Sequence, residues 1–129
     1  MGPSLNLSGA QLSGADLSAL NLSGADLSGA DLSYAVLIYT TIMNADLTDA
    51  NLTSAISYSA NLTGTDLEDA NLTGADLSAA HLEDVNLTGA NLENADFSSG
   101  PLVLYGANLT NANLYGAQSW QSAHWHGAT

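Results

Sequence analysis

An apolar residue recurs at every fifth position along nearly the whole chain. Leu7, Leu12, Leu17, Leu22, Leu27, Leu32, Leu37, Ile42, Leu47 and Leu52 begin the series, and Leu62, Leu67, Leu72, Leu77, Leu82, Leu87, Leu92, Phe97 and Leu102 continue it. A period of five matches neither the 3.6 residues of a helical turn nor the alternation of a strand. No single amphipathic element buries such a series, so the repeat itself must be the architecture. Two positions before each leucine stands a small residue, usually alanine, as at Ala10, Ala15, Ala25, Ala30 and Ala45. The position between them is commonly Asp or Asn, and Ser57 alone puts a polar residue in the central slot.

Units such as Ala25-Asp26-Leu27-Ser28-Gly29 and Ala70-Asn71-Leu72-Thr73-Gly74 resemble the consensus of the pentapeptide-repeat family, and the resemblance runs from roughly residue 5 to 118. It implies an all-β fold, a right-handed quadrilateral parallel β-helix (a solenoid) in which four pentapeptides make one square coil of about six in all. Leucine and the small residue point inward in that family, and the other positions face solvent or form corners. Elementary packing agrees. One pentapeptide buries nothing useful, whereas stacked coils, spaced about 4.8 Å apart, give each leucine two like neighbours and each amide a partner one coil away. The alanine is small because so narrow an interior has no room for a second large side chain. Six coils would make a rod on the order of 29 Å long.

The length of 129 residues fits one domain, residues 1–129, with 119–129 as a C-terminal cap or tail. After Leu102 the phase shifts by two and the pattern resumes at Ala107-Asn108-Leu109. Ser98-Ser99-Gly100-Pro101 is a turn-rich cluster, so a bulged corner is expected there rather than a domain boundary. The net charge is −13, with no Lys or Arg. Direct nucleic-acid binding needs basic groups against phosphate and is excluded on this composition, and attachment to an anionic membrane is disfavoured for the same reason. No stretch has the length and apolarity of a membrane span, and Met1 to Ala10 has no signal-peptide pattern, so a cytoplasmic protein is expected.

Counting every fourth unit assigns residues to four faces. The first face, centred on Leu7, Leu27, Leu47, Leu67 and Leu87, gathers Asp26, Asp46, Asp49, Asp66, Glu68 and Asp69, six of the thirteen acids. Carboxylates stacked at about 5 Å repel by roughly 1 kcal/mol and are expected to raise one another's pKa. Asp and Asn also share this slot because either side chain caps turn amides. The third face, centred on Leu17, Leu37, Ser57, Leu77 and Phe97, carries Val36 beside Ile56 and Ile38 beside Tyr58, flanked by Tyr34, Tyr39 and Met43. Elsewhere the outward slots of the central walls hold Asp, Asn, Ser, Thr and Gly, so this cluster is a candidate interaction patch. Tyr58 covering the polar Ser57 slot is the simpler alternative.

Near the C-terminus, Tyr105, Tyr115, Trp120 and Trp125 are candidates for a lid over the last coil or for a homodimer contact. The resemblance also implies the second option, since DNA-mimicking relatives dimerise through their C-terminal ends. His124 and His126 lack an evident third ligand, His81 stands in the usual Asp/Asn slot, and no serine sits in a nucleophile motif. No metal, cofactor or catalytic residue is expected, and the chain reads as a non-enzymatic structural or protein-interaction module with an unknown protein partner. The alternative is a DNA mimic acting on a DNA-binding enzyme such as a type II topoisomerase. A column of Ser13, Ser33, Thr53 and Thr73 suggests ice binding only weakly, because Glu93 interrupts it.

Overall fold

The computed structural model describes residues 4–100, 103–122, 124 and 126–129. In each repeat the Asp/Asn-slot residue forms a parallel bridge to its counterpart twenty residues on. Asn6, Asp26, Asp46 and Asp66 pair in succession on the first face, and Gln11, Asp31, Asn51, Asn71 and Asn91 on the second. Asp16, Val36, Ile56, Asp76 and Asp96 pair on the third, and Asn21, Thr41, Asn61 and His81 on the fourth. Four pentapeptides therefore complete one coil, and the faces assigned by counting are the faces of the molecule. Strands of this fold are reduced to single bridging residues, so it is a parallel β-solenoid without long strands.

Each side of the square holds the backbone in the same way. Leu47 donates its amide to the Asp66 carbonyl at 2.7 Å in the next coil, and Asp66 returns its amide to the Ala45 carbonyl at 3.0 Å. The corner is closed within the repeat, where the Ala50 amide donates to the Leu47 carbonyl at 3.0 Å. That corner needs a residue in the left-handed region. Gly29 supplies it in one coil, but Asp49, Asp69 and Asn94 adopt it too, with φ of 57°, 56° and 58°, consistent with the tolerance of Asp and Asn for this conformation.

The interior is filled by the central leucines and the alanines preceding them. Leu27, Leu47, Leu67 and Leu87 stack in one column, all essentially inaccessible, and Ala30, Ala50, Ala70 and Ala90 are buried beside them. Where a threonine takes the small slot, its hydroxyl is satisfied locally. Buried Thr65 donates to the Ile42 carbonyl at 2.7 Å, and Thr40 to the Leu17 carbonyl at 2.9 Å. Ser57 is buried in the leucine slot as its position requires.

The phase slip lies where the turn-rich cluster predicted it, but the pattern resumes one unit earlier than the sequence suggested. His81 pairs with Val103, twenty-two residues on, and Leu104 is the buried central residue. Leu102 lies outside the described residues, and the central slot assigned to it belongs to Leu104. The two extra residues fall between Phe97 and Val103, and Asn86 with Asn108, Asn91 with Asn113 and Asp96 with Gln118 carry the same offset. A short 3-10 turn spans Trp120–Ser122, after which His124 pairs with Val103 and the Leu109 amide donates to the Thr129 carbonyl at 2.6 Å.

Candidate functional site

The Asp/Asn slot has a structural duty on every face. Its Oδ1 accepts the amide two residues on, closing an Asx turn: Ser28 N–H to Asp26 at 3.0 Å, Thr48 to Asp46 at 2.9 Å, Glu68 to Asp66 at 3.1 Å and Thr73 to Asn71 at 3.1 Å. This is why Asp and Asn interchange there. Asn adds a second bond that Asp cannot make. The Asn86 amide group donates to Asp66 Oδ1 at 2.9 Å and to Glu68 Oε2 at 3.4 Å, and Asn51 donates to Asp31 at 3.2 Å in the coil before it. Neutral carboxamides thus receive part of the charge that no lysine or arginine is present to meet.

Mutual repulsion does not govern the first stacked acid. The Ser28 hydroxyl, at 2.7 Å, holds the Asp26 carboxyl below the ordinary aspartate value, and the Ser28 amide adds to that effect. The expectation of a raised pKa fails at Asp26 because hydrogen bonds to the charged form outweigh its desolvation. Asp16 and Asp31 are lowered in the same way, first by the hydroxyls and then by the amides of Ser18 and Ser33. Asp49 and Asp69 sit at left-handed corners, and Glu68 and Asp69 are exposed. Asp69 also leans over Gly89 of the next coil, where an added Cβ would collide with its Oδ1. Asn44 over Gly64 and Asn94 over Gly116 repeat that pairing. Most of the acidic face is therefore accounted for by turn chemistry.

The third face is different. Val36 and Ile56 occupy the slot that elsewhere caps a turn, and neither carries an oxygen to do so. They pair directly across adjacent coils. Tyr39 meets Tyr58 edge to face, with centroids 6.0 Å apart and planes at 77°. Tyr34 is 64% exposed, Tyr39 62%, Ile56 40% and Tyr58 36%, while Val36, Ile38 and Met43 are half-buried. Tyr34 and Tyr39 stand at the corners bounding this face, so the two coils form one apolar island. Asp16 precedes it in the same column, and Asp76 and Asp96 follow it. Ser57 is buried beneath this face.

Three of the four C-terminal candidates lie among the described residues. Tyr105 and Tyr115 occupy outward slots after a central leucine, on the fourth and second faces respectively, and both are exposed. Trp120 is half-buried against the core, and Trp125 lies outside the described residues. Tyr105 instead lies between two histidines, with centroids 6.2 Å from both His124 and His126. Continuing the fourth-face count through the two-residue slip would have revealed that grouping. His81 also lies on this face and contacts Glu83 at 3.4 Å. Among the described residues there is no cluster of three or more metal-ligating side chains and no pocket. No helix among them is long and apolar enough to cross a membrane.

A four-sided parallel solenoid built on five-residue units defines a class, and the comparisons place the chain within it. Pentapeptide repeats, in eight copies, match over residues 6–38, 30–69 and 60–98. The chain belongs to the pentapeptide-repeat family. A pentapeptide repeat protein from the thylakoid lumen of Arabidopsis thaliana is 40% identical and superposes with a TM-score of 0.71, over 73% of this chain and 64% of that one. A pentapeptide repeat protein of Nostoc is 36% identical with a TM-score of 0.63, over 67% of this chain and 69% of the other. HetL, a Nostoc pentapeptide repeat protein involved in heterocyst differentiation regulation, is 30% identical with a TM-score of 0.52, over 98% of this chain and 60% of HetL. The chain thus spans less than two thirds of the Arabidopsis protein and of HetL. No curated protein matches it.

Proposed function

We propose that this chain is a non-enzymatic protein-interaction module, a right-handed coil of about six turns that docks a partner on its third face. One observation carries the proposal. Val36, Ile56, Tyr39 and Tyr58 form an apolar cluster across two coils, largely exposed, in slots that other coils fill with turn-capping, hydroxyl or small side chains. The apolar choice forgoes an Asx turn at two successive rungs. Contiguous exposed aromatic and aliphatic surface of this kind is where partners bind. The rigid coil presents it without any cost of ordering a loop.

Ile56→Asp and Tyr58→Asp test this. Both side chains point outward, so the variants should keep the wild-type far-UV circular dichroism while losing a partner that the wild type retains from the cells that make it. An unchanged set of retained proteins refutes the reading. The alternative, an acidic rod occupying the DNA site of an enzyme, draws on the net charge of −13. Inhibition of supercoiling by a purified type II topoisomerase, undiminished in Tyr58→Asp, would favour it instead.

A further inference from the structure

On the third face the pairing column reads Asp16, Val36, Ile56, Asp76, Asp96, so two apolar rungs are bracketed by carboxylates. Asp16 and Asp76 each commit Oδ1 to a turn, accepting the amides of Ser18 at 3.0 Å and Ser78 at 2.9 Å. The Ser18 hydroxyl adds a bond to Asp16, and each carboxylate keeps acceptor capacity for a donor from outside. The chain itself has no Lys or Arg to supply a cationic one. We infer that the partner segment of this face is an extended basic peptide with arginines at positions i and i+4 and an apolar residue at i+2. The inference rests on the interaction reading above and names the chemistry of the partner.

The register follows from two spacings. Three coil steps of about 4.8 Å separate Asp16 from Asp76 by about 14 Å, with the midpoint between Val36 and Ile56 near 7 Å. An extended peptide running along the solenoid axis places i+2 at about 7 Å and i+4 at about 14 Å, all on one side. A helix does not match, because its same-side residues i+7 and i+11 lie at about 10.5 and 16.5 Å. Arginine suits the ends better than lysine. It binds a carboxylate through a planar fork and stacks on aromatic faces, and Tyr34 and Tyr39 stand at the corners beside the column.

The test uses two fluorescein-labelled peptides of identical composition, Gly-Gly-Arg-Ser-Val-Ser-Arg-Gly-Gly and Gly-Gly-Arg-Arg-Val-Ser-Ser-Gly-Gly, with binding read by fluorescence anisotropy. The spaced peptide should bind the wild type several-fold more tightly than the clustered one. Asp16→Asn with Asp76→Asn removes the bracketing charge while keeping both turn-capping oxygens, as Asn61, Asn71 and Asn91 do in that slot. That variant should lose about tenfold in affinity, the sum expected of two surface ion pairs. Asp46→Asn with Asp66→Asn makes the same change in net charge on the first face and should bind like the wild type. Equal loss in the two double variants, or equal affinity for the two peptides, overturns the inference and reduces the binding to bulk charge. Failure of both peptides to bind also overturns it. In either case, continued loss of the cellular partner in Ile56→Asp would show that the interaction reading stands without this peptide chemistry.

Discussion

Replacing Leu67 by alanine tests whether the leucine column acts as one continuous core. Leu67 has no solvent exposure and lies in the column of Leu27, Leu47 and Leu87. The substitution removes three heavy atoms, worth roughly 2.4 kcal/mol at about 0.8 kcal/mol per buried carbon. Neighbours held by inter-coil hydrogen bonds on both sides cannot collapse into the space, so a cavity term raises the total to about 3–4 kcal/mol. Leu7 occupies the same slot on the same face in the first coil, where it is only half-buried against the core. Its truncation loses part of the transfer term and encloses no cavity, so about 1 kcal/mol is expected. Urea denaturation followed by far-UV circular dichroism measures both. A domain of this length is stable by about 10 kcal/mol, so the Leu67 variant should unfold at a midpoint lower by about a third, and the Leu7 variant should barely move. Equal costs, or less than about 1 kcal/mol at Leu67, would refute a core stacked coil on coil.

Asp46→Asn keeps Oδ1 for the Thr48 amide and should leave stability within about 0.5 kcal/mol, whereas Asp46→Ala uncaps that amide and should cost about 1 kcal/mol in the same denaturation assay. The carboxyls of Asp16, Asp26 and Asp31 are held below 3.8, first by serine hydroxyls and then by serine amides. Groups depressed in the folded state contribute stability that is fully present above their unfolded value and lost as pH falls through the folded one. The melting temperature should therefore fall below about pH 4, and Ser28→Ala should flatten part of that fall. At neutral pH, added salt should raise the melting temperature, because it screens repulsion among carboxylates. With no Lys or Arg in the chain, salt has little attraction to weaken.

The interior was legible in the sequence because each coil repeats it. Every copy of the Leu slot faces the same neighbours, so burial of Leu27 through Leu92 follows from spacing alone. Grouping by twenties likewise brought Val36 to Ile56 and Asp26 to Asp46 as the structure has them. Individual contacts outside the repeat were less visible. The slip cost two residues within Ser98 to Leu102, and Leu102 sits at the spacing of five while Leu104 takes the core position, which only inter-coil pairing reveals. The acids were visible as a column, but the Ser28 hydroxyl that bonds Asp26 and holds its carboxyl low was not. His124 and His126 stand 19 and 21 residues after Tyr105, so their grouping shows only when the fourth face is followed past the slip.

The central claim is that one wall of the rod, not its charge at large, meets the partner. A photo-crosslinking residue can be placed in the corresponding outward slot of each wall: Thr48 on the first, Thr53 on the second, Tyr58 on the third and Thr63 on the fourth. These positions are five residues apart, so each samples the same depth on a different side. Illumination in the cells that make the protein should give discrete protein adducts from position 58 and little from the other three. Adducts of equal yield from all four walls, or a yield concentrated at position 48 on the acidic face, would contradict the account.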